Sequence, residues 1–161
     1  MLPQEAVIVR HDPCPWLPAG GQADVVLAEG SSAPPHPTSV VRLLVTAGDA
    51  ILVVPRPDGR GLDIPTALVA TDVEATLQDL RSRFLTGEVT PRLLGFVRNT
   101  VTAASGGYEW PVPVAHFVLW HCEVGKGEAR QGRWLGRPDA ATQLAERHWW
   151  PLVGQVSPDL A

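Results

Sequence analysis

The fold is decided by residues 62–87, which read LDIPTALVATDVEATLQDLRSRFLTG. The apolar positions of the second half fall at i, i+4, i+7 and i+11 and form one stripe: Val73, Leu77, Leu80 and Phe84. This spacing predicts an amphipathic helix that packs on a sheet. Thr71 and Glu74 fit a capping box at the start of the helix, and Gly87 fits the C′ position after its end.

Short runs rich in β-branched and aliphatic residues surround this helix and predict strands. The predicted strands are 6–9, 22–28, 40–45, 51–54, 93–101, 115–124 and 133–135, and a second helix is predicted at 139–148. Residues 47–49, Ala-Gly-Asp, predict a turn, so the strands on either side should pair as an antiparallel hairpin. The order hairpin, helix, strands, helix predicts an α/β fold with a mixed sheet between helices.

Length and composition indicate a single domain. The 161 residues are 45% hydrophobic and 19% charged, which is typical of a globular chain with one core. Many of the 16 prolines lie near the start of the sequence. Residues 1–37 therefore predict one or two strands and a proline-rich linker that belong to the same domain as residues 38–161.

The charge balance argues against two classes of partner. A net charge of -4 and a pI near 5.7 remove the general attraction to nucleic acid or to an anionic membrane. No apolar run approaches the roughly 20 residues that span a bilayer, and no basic-then-apolar signal begins the chain. These features predict a soluble cytoplasmic protein. Cys14 and Cys122 lack CxxC spacing, which predicts reduced thiols, with Cys122 buried in a strand.

Two parts of residues 62–87 resemble the signature of the Nudix superfamily. Residues 62–69, LDIPTALV, stand where that family has W-x-L-P-G-G-x-V, with Thr66 and Ala67 in place of the glycines. Residues 78–83, QDLRSR, align with R-E-U-x-E-E, where U is aliphatic, and Thr86-Gly87 with the closing x-G. The likeness extends over roughly residues 38 to 155 and implies a Nudix-like α/β/α sandwich with a mixed sheet.

The resemblance also implies where chemistry would occur. In Nudix hydrolases, carboxylates on the box helix hold Mg²⁺ against a diphosphate. Here Ser82 and Arg83 stand at the positions of two metal glutamates, and a cation there would repel the metal. Asp79 is the single aligned acid and the only catalytic candidate. We therefore predict no metal site and no cofactor, with Mg²⁺ required only if the protein is an active pyrophosphohydrolase.

Ligand-binding candidates come from the strands and the loop that line the pocket in the family. Arg42, Arg56 and Arg98 could bind phosphate through their guanidinium groups, although each could equally be a solvated charge. Tyr108 and Trp110 lie in a glycine-rich loop, where they could stack on a base or anchor the loop. His116 and His121 are five residues apart on one strand and should point to opposite faces, so they do not predict a metal site.

Three functions remain open at this stage. The first is a non-catalytic module with a degenerate box that binds a nucleotide or another phosphate-containing small molecule. The second is a divergent hydrolase of a nucleoside diphosphate-linked substrate that recruits acids from elsewhere, such as Glu88, Glu109 or Glu123. The third is a protein-interaction domain, with a homodimer as one form.

Overall fold

The computed structural model describes residues 4–29, 33–103 and 106–156. Its elements follow in chain order: β1 (Gln4–His11), β2 (Gln22–Glu29), β3 (Thr38–Ala47), β4 (Ala50–Pro55), β5 (Leu62–Asp63), β6 (Thr66–Leu68), α1 (Val73–Phe84), β7 (Arg92–Thr100), β8 (Val114–Glu123), β9 (Arg133–Leu135) and α2 (Asp139–Leu144). Two 3₁₀ helices span Lys126–Glu128 and Trp150–Gln155. Part of the predicted linker at 30–37, namely residues 30–32, lies outside the described residues.

The described strands form one mixed sheet, in the order β1-β2-β7-β8-β3-β4-β5, with β6 paired to β3 and β9 paired to β4. β8 lies at the centre, where it runs antiparallel to β7 and parallel to β3. The predicted α/β class and mixed sheet are confirmed. β1 and β2 extend this same sheet through the pairing of β2 with β7; the boundary at residue 37 stays a prediction.

Apolar side chains cover both faces of the sheet and divide the core into two layers. On one face, Leu77, Leu80 and Phe84 of α1 pack against a layer that includes Val41 and Leu43. On the other face, α2 and the C-terminal 3₁₀ helix pack against alternate residues of the same strands. Full burial of a side chain such as Leu80 is worth about 1.5–3 kcal/mol, so the predicted stripe of α1 stabilises the sandwich.

The hairpin β3–β4 is confirmed, but the two strands pair only at the residues next to the turn. Thr46 pairs with Ile51 and Ala47 with Ala50, after which β4 diverges and pairs with β9 and β5. The free edge of β3 is taken by β6, whose residues 66–68 pair with 40–42. Because a buried backbone edge must find hydrogen-bond partners, the segment before α1 fills this gap. A cleft opens between the end of β4, this segment and α1.

The start and end of α1 differ from the sequence prediction. Asp72, not Thr71, is the N-cap, since its carboxylate accepts from the backbone N–H of Ala75 at 2.7 Å. The helix ends at Phe84 with an extended C-cap residue, so Gly87 is not its C′ residue; the carbonyl of Gly87 instead accepts from Arg81. The N-cap lies one residue later than predicted because Asp is at least as good an N-cap as Thr.

The second helix is shorter than predicted and ends at Leu144. After it, backbone N–H groups bond three residues back, as from Arg147 to Leu144 and from Trp150 to Arg147. The reason is tertiary: Trp149 is fully buried, and its indole N–H donates to Asp63 at 3.1 Å. Pro151 then lacks the N–H that a continuing α-helix requires. Among the described residues, no helix has the length and apolarity needed to cross a membrane.

We expect Asp72→Ala to lower the free energy of unfolding by about 1 kcal/mol, because it removes the oxygen that accepts from Ala75. Thr71→Ala is the matched control and should change stability much less. Urea unfolding followed by circular dichroism compares the two. A larger loss for Thr71→Ala would show that the capping residue is assigned wrongly.

Candidate functional site

The two segments that align with the Nudix box line one cleft of about 480 Å³, here called the arginine cleft. Its walls come from the end of β4, the 63–68 segment and the last turn of α1. Its lining includes Arg56, Asp58, Asp63, Ile64, Arg83 and Phe84. The volume falls within the range of small-molecule sites, roughly 300–1,000 Å³.

Arg56 and Asp58 form a close ion pair on the β4 side of the cleft. The Nε and Nη2 atoms of Arg56 donate to the two carboxylate oxygens at 3.1 and 2.7 Å, and the backbone N–H of Arg60 adds a third bond. The hydrogen bonds from Arg56 and Arg60 lower the pKa of Asp58 to about 2. The same pairing raises the pKa of Arg56. Both groups are therefore ionised at neutral pH.

Asp63 has a structural role in the floor of the cleft. Its Oδ1 atom accepts from the backbone N–H of Ile64 at 2.8 Å and from the indole N–H of Trp149 at 3.1 Å. These bonds join the box-like segment to the C-terminal layer. Arg147 reinforces the joint by donating to the carbonyls of Leu62 and Arg60.

Arg83 lies on the α1 side of the cleft, beside Phe84. It approaches Asp79 one turn earlier at 3.7 Å, and both side chains are largely exposed. Asp79, the candidate catalytic acid, is not among the residues that line the cleft. An exposed pair at this distance contributes little to stability, so Arg83 is available to a ligand.

The oxygens of the cleft do not fit a magnesium ion. Mg²⁺ requires near-octahedral oxygen coordination at about 2.0–2.1 Å. The carboxylate of Asp58 is held by Arg56, and Asp63 Oδ1 already accepts two N–H groups, while Arg83 adds positive charge. In the part of the chain that the structure describes, no three His, Cys, Asp or Glu side chains cluster to hold a metal, and Glu88, Glu109 and Glu123 do not form such a group.

Arg42 lies on β3 between β6 and β8, with its guanidinium carbon 5.8 Å from the ring centre of Phe117. Its Nε atom is buried, and no hydrogen-bond acceptor among the described residues reaches it. Burial lowers the pKa of Arg42; the negative charge of Asp63 opposes this effect, while the positive charges of Arg56 and Arg147 add to it. Arg42, unlike Arg56, does not line the arginine cleft, and its guanidinium group lies against Phe117 instead.

Tyr108 and Trp110 lie in a second cavity of about 240 Å³, here called the aromatic pocket. Aromatic side chains from separate parts of the chain line it, together with Asn99: Trp16, Tyr108, Trp110, Phe117 and His148. The ring of Trp16 stacks on His148 at 3.8 Å, and Trp110 meets Phe117 edge-on at 5.0 Å. The two aromatics singled out in the sequence are thus brought together with each other but not with the arginine cleft.

The remaining polar candidates lie elsewhere. Arg98 forms an ion pair with Glu5 at 3.0 Å and donates to His116, and it lines neither cavity. His121 bonds to the hydroxyl of Thr46. Cys122 is buried, and burial raises its pKa to about 12, which leaves an unreactive thiol. The buried thiol predicted for Cys122 is confirmed.

Comparison with known proteins identifies the fold. No protein-family model and no curated protein matches the chain. A match among solved structures shows that the fold is Nudix-like, as the sequence resemblance predicted. One matching structure is the pyrophosphohydrolase BsRppH of Bacillus subtilis, solved as a mutant, with a TM-score of 0.53 and 11% identity. The alignment covers 87% of this chain and 92% of that chain.

Several residues of the two cavities could not be found from the sequence. Asp58 and Asp63 resemble ordinary turn residues, and Trp16 lies in an irregular proline-rich stretch with no periodicity. His148 is the last residue of the predicted second helix, and its local sequence gives no sign of a cavity. Its contact with Trp16 joins residues that are 132 positions apart, for which no local pattern gives a signal.

The stacked His148 should make stability depend on pH. Burial, and next the nearby charge of Arg42, lower the pKa of His148 to about 4, against 6.5 for a free imidazole. Between these values the unfolded chain binds more protons than the folded one, so stability falls as pH decreases from about 6.5 to 4. We expect this fall to be smaller in His148→Gln than in the unsubstituted protein.

Thermal unfolding of both proteins across this pH range checks the prediction. The lowered pKa values of His116 and His121 act in both proteins and cancel in the difference. Parallel curves for the two proteins would contradict a lowered pKa of His148.

Proposed function

We propose that this protein is a non-catalytic ligand-binding domain that holds a nucleotide or another diphosphate-containing small molecule in the arginine cleft without a metal ion. The observation that carries the proposal is Arg83, whose side chain lines the cleft on the wall opposite the Arg56–Asp58 ion pair. Arg83 stands at the position where the resemblance expects a metal-binding glutamate.

The chemistry of the cleft supports an anionic ligand. Guanidinium groups bind phosphate oxygens with two parallel hydrogen bonds, and they remain charged at any physiological pH. Arg83 makes only a long contact with Asp79, so phosphate oxygens could take its N–H groups without breaking a strong pair.

The apolar part of the cleft supports a ligand larger than a phosphate ion. Ile64 and Phe84 line it, and Leu68 stands largely exposed at its edge. Such surfaces favour the organic portion of a ligand because its contact removes apolar area from water. A diphosphate joined to an organic group can therefore contact both the arginine side chains and the apolar residues of the cleft.

The divergent-hydrolase alternative receives less support. It requires several carboxylate oxygens free to bind Mg²⁺, whereas Asp58 is bound by Arg56, Asp63 already accepts two hydrogen bonds through Oδ1, and Asp79 lies outside the lining. For the protein-interaction alternative, the residues that the structure describes show no specific contact surface.

We expect ADP to bind in the presence of EDTA, and Arg83→Ala to weaken this binding by about tenfold or more, because a charge-assisted hydrogen bond is lost. Arg83→Lys should give an intermediate affinity, since it keeps the charge but not the paired N–H geometry. Isothermal titration calorimetry measures all three affinities.

Arg133→Ala is the matched control, because Arg133 is an exposed arginine of β9 that does not line the cleft. Its affinity for ADP should equal that of the unsubstituted protein. The proposal fails if ADP does not bind in EDTA. It also fails if Mg²⁺ permits cleavage of a nucleoside diphosphate derivative at an ordinary enzymatic rate that Asp79→Ala abolishes, which would support the hydrolase instead.

A further inference from the structure

We propose that the aromatic pocket is a second binding site, which takes a small planar nitrogen heterocycle and accepts a hydrogen bond from its N–H group at Asn99. The inference does not rest on phosphate binding, because no residue that lines this pocket also lines the arginine cleft.

Asn99 is the observation that points to a ligand. It lies in β7, paired with Ala23 and Ala115, and only 3% of its surface is exposed. Its Oδ1 atom is buried, and within the described residues no donor reaches it. A buried acceptor without a partner is costly, and most such groups in native proteins are hydrogen-bonded. Because Asn99 lines the pocket, a ligand there can supply the missing donor.

Tyr108 gives a second, independent sign at the same place. Its hydroxyl oxygen is also buried without a hydrogen-bond partner among the described residues, and burial raises its pKa. Buried tyrosine hydroxyl groups usually find a partner. Two unpaired polar groups from different segments, β7 and the 106–113 loop, thus meet at one cavity.

The walls of the pocket favour a flat ligand. Trp16 is held from two sides, by the stacked ring of His148 and by the edge of His11 at 4.8 Å. Phe117 and Trp110 contact each other edge-on. Rings that are already fixed by one another lose little conformational freedom when a planar molecule binds, and they offer π faces for stacking.

Charge and size narrow the class of ligand. Among the described residues that line the pocket there is no Lys or Arg, since Arg42 lies against the ring of Phe117 without lining the pocket, and Glu109 contributes a carboxylate. This composition disfavours a phosphate and favours a molecule that donates N–H hydrogen bonds. The volume of about 240 Å³ is below the roughly 300 Å³ at which drug-sized sites begin, so one ring or a fused pair fits better than a whole nucleotide.

The test compares 2-quinolone, a planar lactam with one N–H donor, with N-methyl-2-quinolone, which has the same ring system without that donor. Titrations of the full chain are followed by the indole N–H signals in ¹⁵N NMR spectra. We expect 2-quinolone to shift the signals of Trp16 and Trp110, and the N-methyl compound to bind about tenfold more weakly. The signal of Trp134, which donates to the carbonyl of Lys126 and does not line the pocket, should not move.

Asn99→Leu removes the acceptor at similar size. We expect it to fold with an unchanged or raised unfolding temperature, since it removes an unpaired buried polar group, and to bind both compounds with equal affinity. Arg83→Ala, which alters only the arginine cleft, should bind 2-quinolone like the unsubstituted protein.

Equal affinity of the unsubstituted protein for the two compounds would overturn the proposal, as would titration of 2-quinolone to its solubility limit without a shift at Trp16 or Trp110. Both results come from the unsubstituted chain, so they hold even if Asn99→Leu does not fold. A failure of ADP to bind in the arginine cleft would leave the result for the aromatic pocket unaffected.

Discussion

The hydrogen-bond demand of β3 determines the arrangement of the rest of the molecule. One edge of this buried strand is paired along its length with β8. The other edge pairs with β4 only next to the hairpin turn. Residues 66–68 pair with the rest of this edge, and the N–H of Leu43 extends the pairing by donating to the carbonyl of Pro65. This pairing places the start of α1 on one face of the sheet and opens the cleft beside β4.

The two cavities of the protein differ in their electrostatics. The arginine cleft combines Arg56 and Arg83 with carboxylates that accept hydrogen bonds, and the anionic ligand proposed for it follows from this arrangement. The aromatic pocket has no lining arginine or lysine among the described residues and contains unpaired groups on Asn99 and Tyr108. The ligands that we propose for the two cavities differ accordingly: a diphosphate compound for the first and a planar ring for the second.

Much of the fold could be predicted because its signals are local. The apolar spacing from Val73 to Phe84 predicts a helix, and aliphatic runs predict β3, β4, β7 and β8. The structure confirms these elements. The ends of elements were less predictable. The N-cap is Asp72 and not the predicted Thr71. The second helix ends at Leu144 because burial of Trp149 and its bond to Asp63 override helix propensity.

The sequence by itself determined the α/β class and the order of the longer strands and helices, without β5 and β6, and it placed Ser82 and Arg83 where the resemblance expects acids. Only the tertiary structure decided that Arg56 shares a cleft with Arg83, that Arg98 instead pairs with Glu5, and that Trp16 meets His148. The physical reason is that periodicity records which face of an element is apolar. Which distant side chains meet depends on strand register and on the backbone hydrogen bonds that each buried edge must satisfy.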